Sequence, residues 1–309
     1  FRFDTEEMAA ILLNTTLNYK ALRGSQVALT GRLSQNPYVK IEYSLENTFL
    51  RRFNLAYMFR YNDVNYYHKG EKMNNVTYRY HFGELGLSSL YFRNFKFQVG
   101  LRYEYFDYNS LLFANEEEII DVRPEGFFSY YGLAQLDTYD RRFYPNRGIS
   151  FLASYSIYTD NMGTYDGGAP FSALSLNFTP VIAVSDRLKM LPAVYGRVLI
   201  GNNPAYSYLN CMGGTVPFLG IKHVGVFENS LLVGRLELRQ RAGRKHYFSL
   251  VGNYAMQDDS FFDIFGRKGI WGGGVGYSRD SYLGPIDLMF SLSDWNKKLE
   301  FYFNLGFYF

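Results

Sequence analysis

Arg235, Glu237 and Arg239 alternate along the segment LVGRLELRQ, so an extended chain projects two guanidinium groups and a carboxylate from one face. Side chains of this kind build a charge network in a polar interior, and they also serve as ordinary pore lining. Other reactive residue types are scattered. A patatin-type serine nucleophile needs Gly-x-Ser-x-Gly on a sharp strand-to-helix turn, whereas the nearest string, GISFL at 148–152, lacks the second glycine and reads as strand. No catalytic residue is assigned. His68, His81, His223 and His246 have no zinc spacing and read as lumen or interface polar groups. Asp258, Asp259, Asp263 and the stretch DNMGTYDGG lack the regular ligand positions of a calcium loop, so neither a metal nor a cofactor is expected. The run Glu116–Glu118 reads as a solvated loop face.

Any such interior must be built by strands. The 309 residues include 29 Tyr, 28 Phe and 29 Gly but only 9 Pro, and 47% are hydrophobic. Length alone suggests about two domains, but no linker or shift of composition divides the chain, so 1–309 is read as one domain. No apolar run approaches the roughly 18 residues of a membrane helix. A net charge of +3 gives no basis for nucleic-acid binding. The single Cys211 excludes an internal disulfide framework. The opening FRFDTEE carries neither Met nor a signal peptide, and the chain is read as the C-terminal part of a longer one.

Period-two alternation runs through the sequence. In FKFQVGLRYEY, Phe95, Phe97, Val99, Leu101 and Tyr103 oppose Lys96, Gln98, Arg102 and Glu104. In YVKIEYSLENTF, Val39, Ile41, Tyr43 and Leu45 oppose Lys40, Glu42, Ser44 and Glu46. The segment KKLEFYFNLGFYF sets Leu299, Phe301, Phe303, Leu305, Phe307 and Phe309 on one side. Many segments reach ten residues or more, whereas soluble strands cluster near five or six and membrane strands need about 9–11. Sixteen strands are expected: 1–4, 8–20, 26–34, 38–49, 53–67, 76–90, 95–108, 127–138, 149–158, 171–184, 188–201, 226–240, 246–255, 270–279, 285–293 and 298–309.

In hydrocarbon every backbone N–H and C=O must be paired, which a sheet achieves only by closing on itself. The expected fold is therefore all-β: a closed antiparallel transmembrane β-barrel with polar residues inside and Tyr and Phe at the two interfaces. An even count puts both ends on the periplasmic side, with the long connections 69–75, 109–126, 159–170, 202–225 and 256–268 facing out. That parity requires the first strand to begin at or before Phe1. The charged stretch DRRFYPNRGISF, 140–151, becomes a periplasmic turn in which Asn146 and Gly148 suit positive φ and Pro145 fixes its own.

Three motifs occur in order: the turn with Asp140, Pro145 and Gly148; the loop MGGTVPFLG with Gly213, Gly214, Pro217, Phe218, Leu219 and Gly220; and YLGPIDLMFS leading to a last strand with Phe301, Phe303, Phe307 and Phe309. Together they resemble the bacterial surface-antigen barrels of the outer membrane typified by BamA and TamA. The resemblance implies that 212–220 folds back into the lumen. It also implies that the aromatic C-terminal strand is the signal read by the barrel assembly machinery, and that outer-membrane lipid surrounds the chain. Where that family carries Val-Arg-Gly, with the arginine meeting an acidic strand residue in the lumen, this sequence reads Phe218-Leu219-Gly220; Lys222 and His223 are the nearby substitutes. The start FRFDTEEMAAILLN is similar to the barrel entry of patatin-like outer-membrane proteins. That similarity implies upstream patatin-like lipase and POTRA-like domains, which the barrel anchors and helps export. The alternative is protein assembly, insertion or translocation of the BamA and TamA kind.

Overall fold

The computed structural model describes residues 2–4, 8–19, 24–47, 51–69, 71–92, 94–113, 123–201 and 204–306. One sheet holds every strand: β1 (Arg2–Asp4), β2 (Met8–Tyr19), β3 (Ser25–Leu33), β4 (Tyr38–Asn47), β5 (Arg51–His68), β6 (Glu71–Phe92), β7 (Phe95–Phe113), β8 (Glu125–Asp137) and β9 (Gly148–Thr159), then β10 (Phe171–Ala183), β11 (Leu188–Ile200), β12 (Asn210–Gly214), β13 (Ile221–Phe227), β14 (Ser230–Arg241), β15 (His246–Asp258), β16 (Ile270–Ser281), β17 (Gly284–Ser293) and β18 (Glu300–Gly306). Neighbours pair antiparallel in chain order, except that β11 pairs β14 directly and β12 with β13 forms a hairpin between them, joined to β5 by one parallel bridge, Gly225 to Tyr67. β1 has partners on both sides, Phe3 lying opposite Ala9 of β2 and Leu305 of β18.

Exposure follows the side-chain alternation with its usual sense reversed. Along β7, Phe97, Val99, Leu101 and Tyr103 are each 42–44% exposed, while Gln98 and Glu104 are 5% and 9% exposed. The apolar residues face outward and the polar ones inward, an arrangement that is favourable only where hydrocarbon surrounds the sheet. No helix among the described residues is long and apolar enough to cross a membrane.

Three expectations need correction. Among the described residues eighteen strands replace the sixteen expected, because the Gly-rich loop itself contains β12 and β13, and the strand expected from 226 begins at Ser230. The connection expected at 69–75 is only 69–70, with β5 and β6 running on as a hairpin and Lys69 at φ 49°. There the alternation of apolar and polar residues fades while pairing continues: Asn75 Nδ2 donates to Asp63 Oδ1 at 2.6 Å and to Asn65 Oδ1 at 3.0 Å. Likewise β7 extends to Phe113, shortening the connection expected from 109. The run Glu116–Glu118 lies outside the described residues.

Candidate functional site: an interior occupied by the chain's own loop and turn

The segment between β11 and β14 folds inward. Phe218 and Leu219 are buried, and the Val216–Pro217 peptide bond is cis. The inner wall that receives them is made by side chains that leave room. A Cβ on Gly272 would lie 2.8 Å from both the Leu219 carbonyl oxygen and the Phe218 ring, and one on Gly274 would lie 2.9 Å from Leu219 Cδ2. These glycines of IWGGGVG therefore let the loop lie flat against β16, the close backbone approach that glycine inside a strand signals.

Polar bonds fix the loop there. Asn253 on β15 accepts from the Leu219 N–H at 3.0 Å and donates to the Leu219 carbonyl at 3.2 Å. Ser293 Oγ on β17 donates to the Gly220 carbonyl at 2.5 Å. Gly220 sits at φ 114° against the β17 backbone, a conformation closed to other residues. Where the family resemblance implies an arginine meeting an acid, the chain has a carboxamide clasping the peptide groups of a leucine. The side chains of Lys222 and His223 lie outside the described residues. Gly213 and Gly214 end β12, Gly214 at φ 86°.

The upstream part of the loop is held by the opposite wall. Tyr208 packs into a buried aromatic cluster with Phe106, Phe127, Tyr158 and Phe171, and its hydroxyl donates to Glu104 of β7 at 2.9 Å. Tyr80 of β6 donates to the same carboxylate. Arg197 of β11 donates to the Tyr208 carbonyl at 2.7 Å and to Asn210 Oδ1 at 2.8 Å. The loop thus bridges the interior from β6–β11 to β14–β17.

Of the charged triad, Arg235 and Glu237 approach at 3.4 Å, with Arg235 donating to the Thr215 carbonyl of the loop and Ser249 donating to Glu237 at 3.0 Å. Arg239 points elsewhere, to the turn, where its guanidinium donates to the Pro145 carbonyl at 2.6 Å. A second inner network joins Glu84, Arg102 and Gln98, with Arg102 donating to Glu84 at 2.7 Å and lying 3.7 Å over the Tyr131 ring. Beside it Gln26, Glu42, Arg52, Glu84, Lys96 and Gln98 line a cavity of about 250 Å³.

The turn between β8 and β9 is not merely a solvated reversal. Arg141, Arg142 and Arg147 are exposed, but Pro145 is buried and Tyr144 reaches into the interior. The Tyr144 ring stacks on Tyr247 at 4.4 Å, and its hydroxyl donates to Asp287 of β17 at 2.8 Å. Asn304 of β18 donates to the other oxygen of Asp287 at 3.1 Å. Positive φ falls on Tyr144 and Gly148, not on Asn146. Asp140 closes the turn by accepting from the Asn146 N–H at 2.8 Å, the Asn146 amide at 3.1 Å and the Arg147 N–H at 3.4 Å.

Burial works to raise the pKa of Asp140, but the two Asn146 bonds, the Arg147 N–H and the charge of Arg141 together hold it below the usual carboxylate value. A carboxylate depressed in the folded state contributes stability at neutral pH that disappears as pH falls through that lowered value. Amide exchange at Asn146 and Arg147 is therefore expected to stay slow until pH drops below the ordinary carboxylate range; acceleration well above that range would contradict it. Gly148→Ala is expected to open the same turn, because φ is 112° and the added Cβ would lie 2.4 Å from the Thr138 carbonyl oxygen. Faster exchange at Ile149, whose N–H donates to Thr138 Oγ1 at 2.8 Å, measures it.

Phe301 faces outward beside Phe290 with ring centroids 5.1 Å apart, and Phe303 follows on the same face of β18. Phe307 and Phe309 lie outside the described residues. Among the histidines, His81 and His246 bond Tyr57 and Tyr277 on the outer face at 2.9 and 2.7 Å, and His68 packs on Trp295. The motifs did not reveal Asn253, Ser293, Tyr144, Tyr208 or Asp287. Only the triple glycine of β16 carried a readable signal.

An antiparallel sheet with an apolar outer face, polar inner walls and a loop folded inside defines a transmembrane β-barrel. Residues 38–309 match the model of the OMP85 superfamily, and the chain belongs to that superfamily. It is a β-barrel protein of the bacterial outer membrane. Its fold is similar to BamA of Haemophilus ducreyi lacking POTRA domains 1–3 (TM-score 0.78, 12% identity, 98% of this chain and 68% of that one). It is also similar to CdiB of Escherichia coli (TM-score 0.67, 15% identity, 98% and 61%) and CdiB of Acinetobacter baumannii (0.66, 13%, 98% and 57%). The chain thus spans about three-fifths of the CdiB chains. No curated protein sequence matches it.

Proposed function

We propose that the sheet closes through β1 into a barrel that anchors an N-terminal domain in the outer membrane, with a patatin-like phospholipase as that domain and its export as a further role. The observation that carries the anchoring role is the occupied interior: loop and turn are each tied to several strands, which suits a membrane platform rather than an open pore. The leucine in place of the family's loop arginine supports a branch apart from general assembly barrels. In the test, full-length protein in planar bilayers conducts near baseline, deletion of 212–220 raises conductance, and outer membranes carrying the full-length chain release fatty acid from phospholipid. High resting conductance would sink the platform reading. Repeated POTRA-like domains upstream without a hydrolase motif would sink the lipase.

Insertion or translocation of polypeptide is favoured by one observation. β1 shares three residue pairs with β18 and three with β2, against twelve between β14 and β15, so the seam around β1 is short among the described strands. In that reading β18 engages the barrel assembly machinery. A disulfide between cysteines at the paired positions Phe3 and Leu305, in a Cys211→Ser background, is expected to abolish insertion of a client barrel; full activity in the locked form would exclude seam opening.

A further inference from the structure

The outer face of β14–β17 carries a patch that loop docking does not use. Its apolar wall, Leu236, Phe248, Leu250, Val275 and Phe290, is 43–55% exposed. The wall ends at the rim with the short connections 242–245 and 282–283, the rim that faces the periplasm in outer-membrane barrels. There His246 lies opposite Arg279, and His246 Nδ1 and the Tyr277 hydroxyl are 2.7 Å apart. These residues share the outward alternation of Phe248 and Val275. The Asp280 N–H donates to the Lys245 carbonyl at 2.9 Å, joining the two turns. Lys245 Nζ sits 4.4 Å over the ring of Tyr282, which is 94% exposed.

Arg244, Lys245 and Arg279 thus stand together where the apolar band ends, and no ion pair to a carboxylate is formed by any of them among the described residues. The nearby acids turn away: Asp287 faces the interior, bound to Tyr144 and Asn304, and Asp280 shares the inward alternation of buried Ser278. Aromatic residues alone suffice for an interfacial girdle. Unpaired cations at headgroup depth add an attraction for negative lipid, and the apolar wall beneath them matches acyl chains.

We propose that this patch is a binding site for anionic phospholipid of the periplasmic leaflet, with the headgroup phosphate among Arg244, Lys245 and Arg279 and the acyl chains along Phe248, Leu250 and Val275. The proposal stands whether or not a hydrolase precedes the barrel, since its readout is lipid occupancy and not turnover. Purified full-length protein is equilibrated with mixed micelles of phosphatidylglycerol and phosphatidylcholine, and bound lipid is counted by native mass spectrometry. Phosphatidylglycerol is expected to be retained in preference. R244Q/K245Q/R279Q is expected to lose at least about ten-fold of that retention, given the attraction each basic residue adds near an anionic surface. K69Q/K268Q/K297Q on the opposite rim serves as control and retains it. Heat-modifiable mobility reports folding; if the triple variant does not fold, R279Q and K245Q singly are each expected to give a partial loss. Equal retention of the two lipids, an unaffected R244Q/K245Q/R279Q protein, equal loss in the control, or displacement by inorganic phosphate would each overturn the proposal.

Discussion

Gly272→Val is expected to eject the loop from the interior while leaving the sheet paired. The three atoms nearest a Cβ at 272 belong to Phe218 and Leu219, and valine suits a strand. Ejection removes the burial of two large apolar side chains, about 1.5–3 kcal/mol each, and several hydrogen bonds worth about 1 kcal/mol apiece. The lost apolar burial alone should weaken docking by about 3–6 kcal/mol, and the lost hydrogen bonds add to it, enough to reverse docking. Two measurements follow: bilayer conductance rises, and a cysteine at Leu219 in a Cys211→Ser background changes from protected to freely labelled. Gly252→Val is the control, since nothing lies within 4 Å of its added Cβ. Gly274→Val differs again, because its Cβ would meet the Phe290 carbonyl oxygen of β17 at 2.2 Å and so disturb the sheet itself. If Gly272→Val matches wild type in conductance and labelling, the glycine wall does not govern docking.

Tyr144→Ala is expected to release the β8–β9 turn and to soften β18, two places far apart in sequence. It removes the stack on Tyr247, the position under Arg239, which lies 5.9 Å from the ring centroid, and the donor to Asp287. A hydrogen bond to a charged group contributes about 1.5–3 kcal/mol and an aromatic pair about 0.5–1.5, so a loss of about 2–4 kcal/mol is expected. Asp287 is 5% exposed and is bonded by Asn304 across the β17–β18 pairing, so the loss is felt there. Tyr144→Phe keeps the stack and isolates the hydroxyl. A lowered denaturation midpoint in detergent for both variants, greater for alanine, together with faster amide exchange along β18, is the expected result. Phenylalanine behaving as wild type would show that the hydroxyl does nothing for the turn.

The strands were legible because lipid outside and polar groups inside impose strict alternation, as Phe97, Gln98 and Val99 illustrate on β7. Legibility failed where that contrast ends. The tip of the β5–β6 hairpin, 69–75, reads as loop because its Lys, Glu and Asn residues suit either face, although side-chain amides keep the hairpin paired. β12 and β13 were hidden in a glycine-rich stretch that reads as irregular. Within the site, the loop and turn motifs marked segments, but not their partners. A lone Asn253 on a strand looks like ordinary polar lining, and its role exists only once the Leu219 peptide groups lie beside it. In sequence Tyr144 is one residue of a charged turn, although a bulky aromatic at φ 49° between arginines is a poor choice for a reversal in water. GGG in β16 was the clearest unused signal.

The docked loop also imposes an order on assembly. Leu219 and Gly220 are held by Asn253, Gly272 and Ser293, all later in the chain, while Tyr208 is held by strands that come earlier. These are contacts of high sequence separation, whose closure entropy must be met before they stabilise anything. The loop can therefore seat itself only after β15, β16 and β17 have paired, so its burial marks a finished sheet. Until then Phe218 and Leu219 have no pocket, and a half-built molecule displays an apolar segment that the completed one conceals.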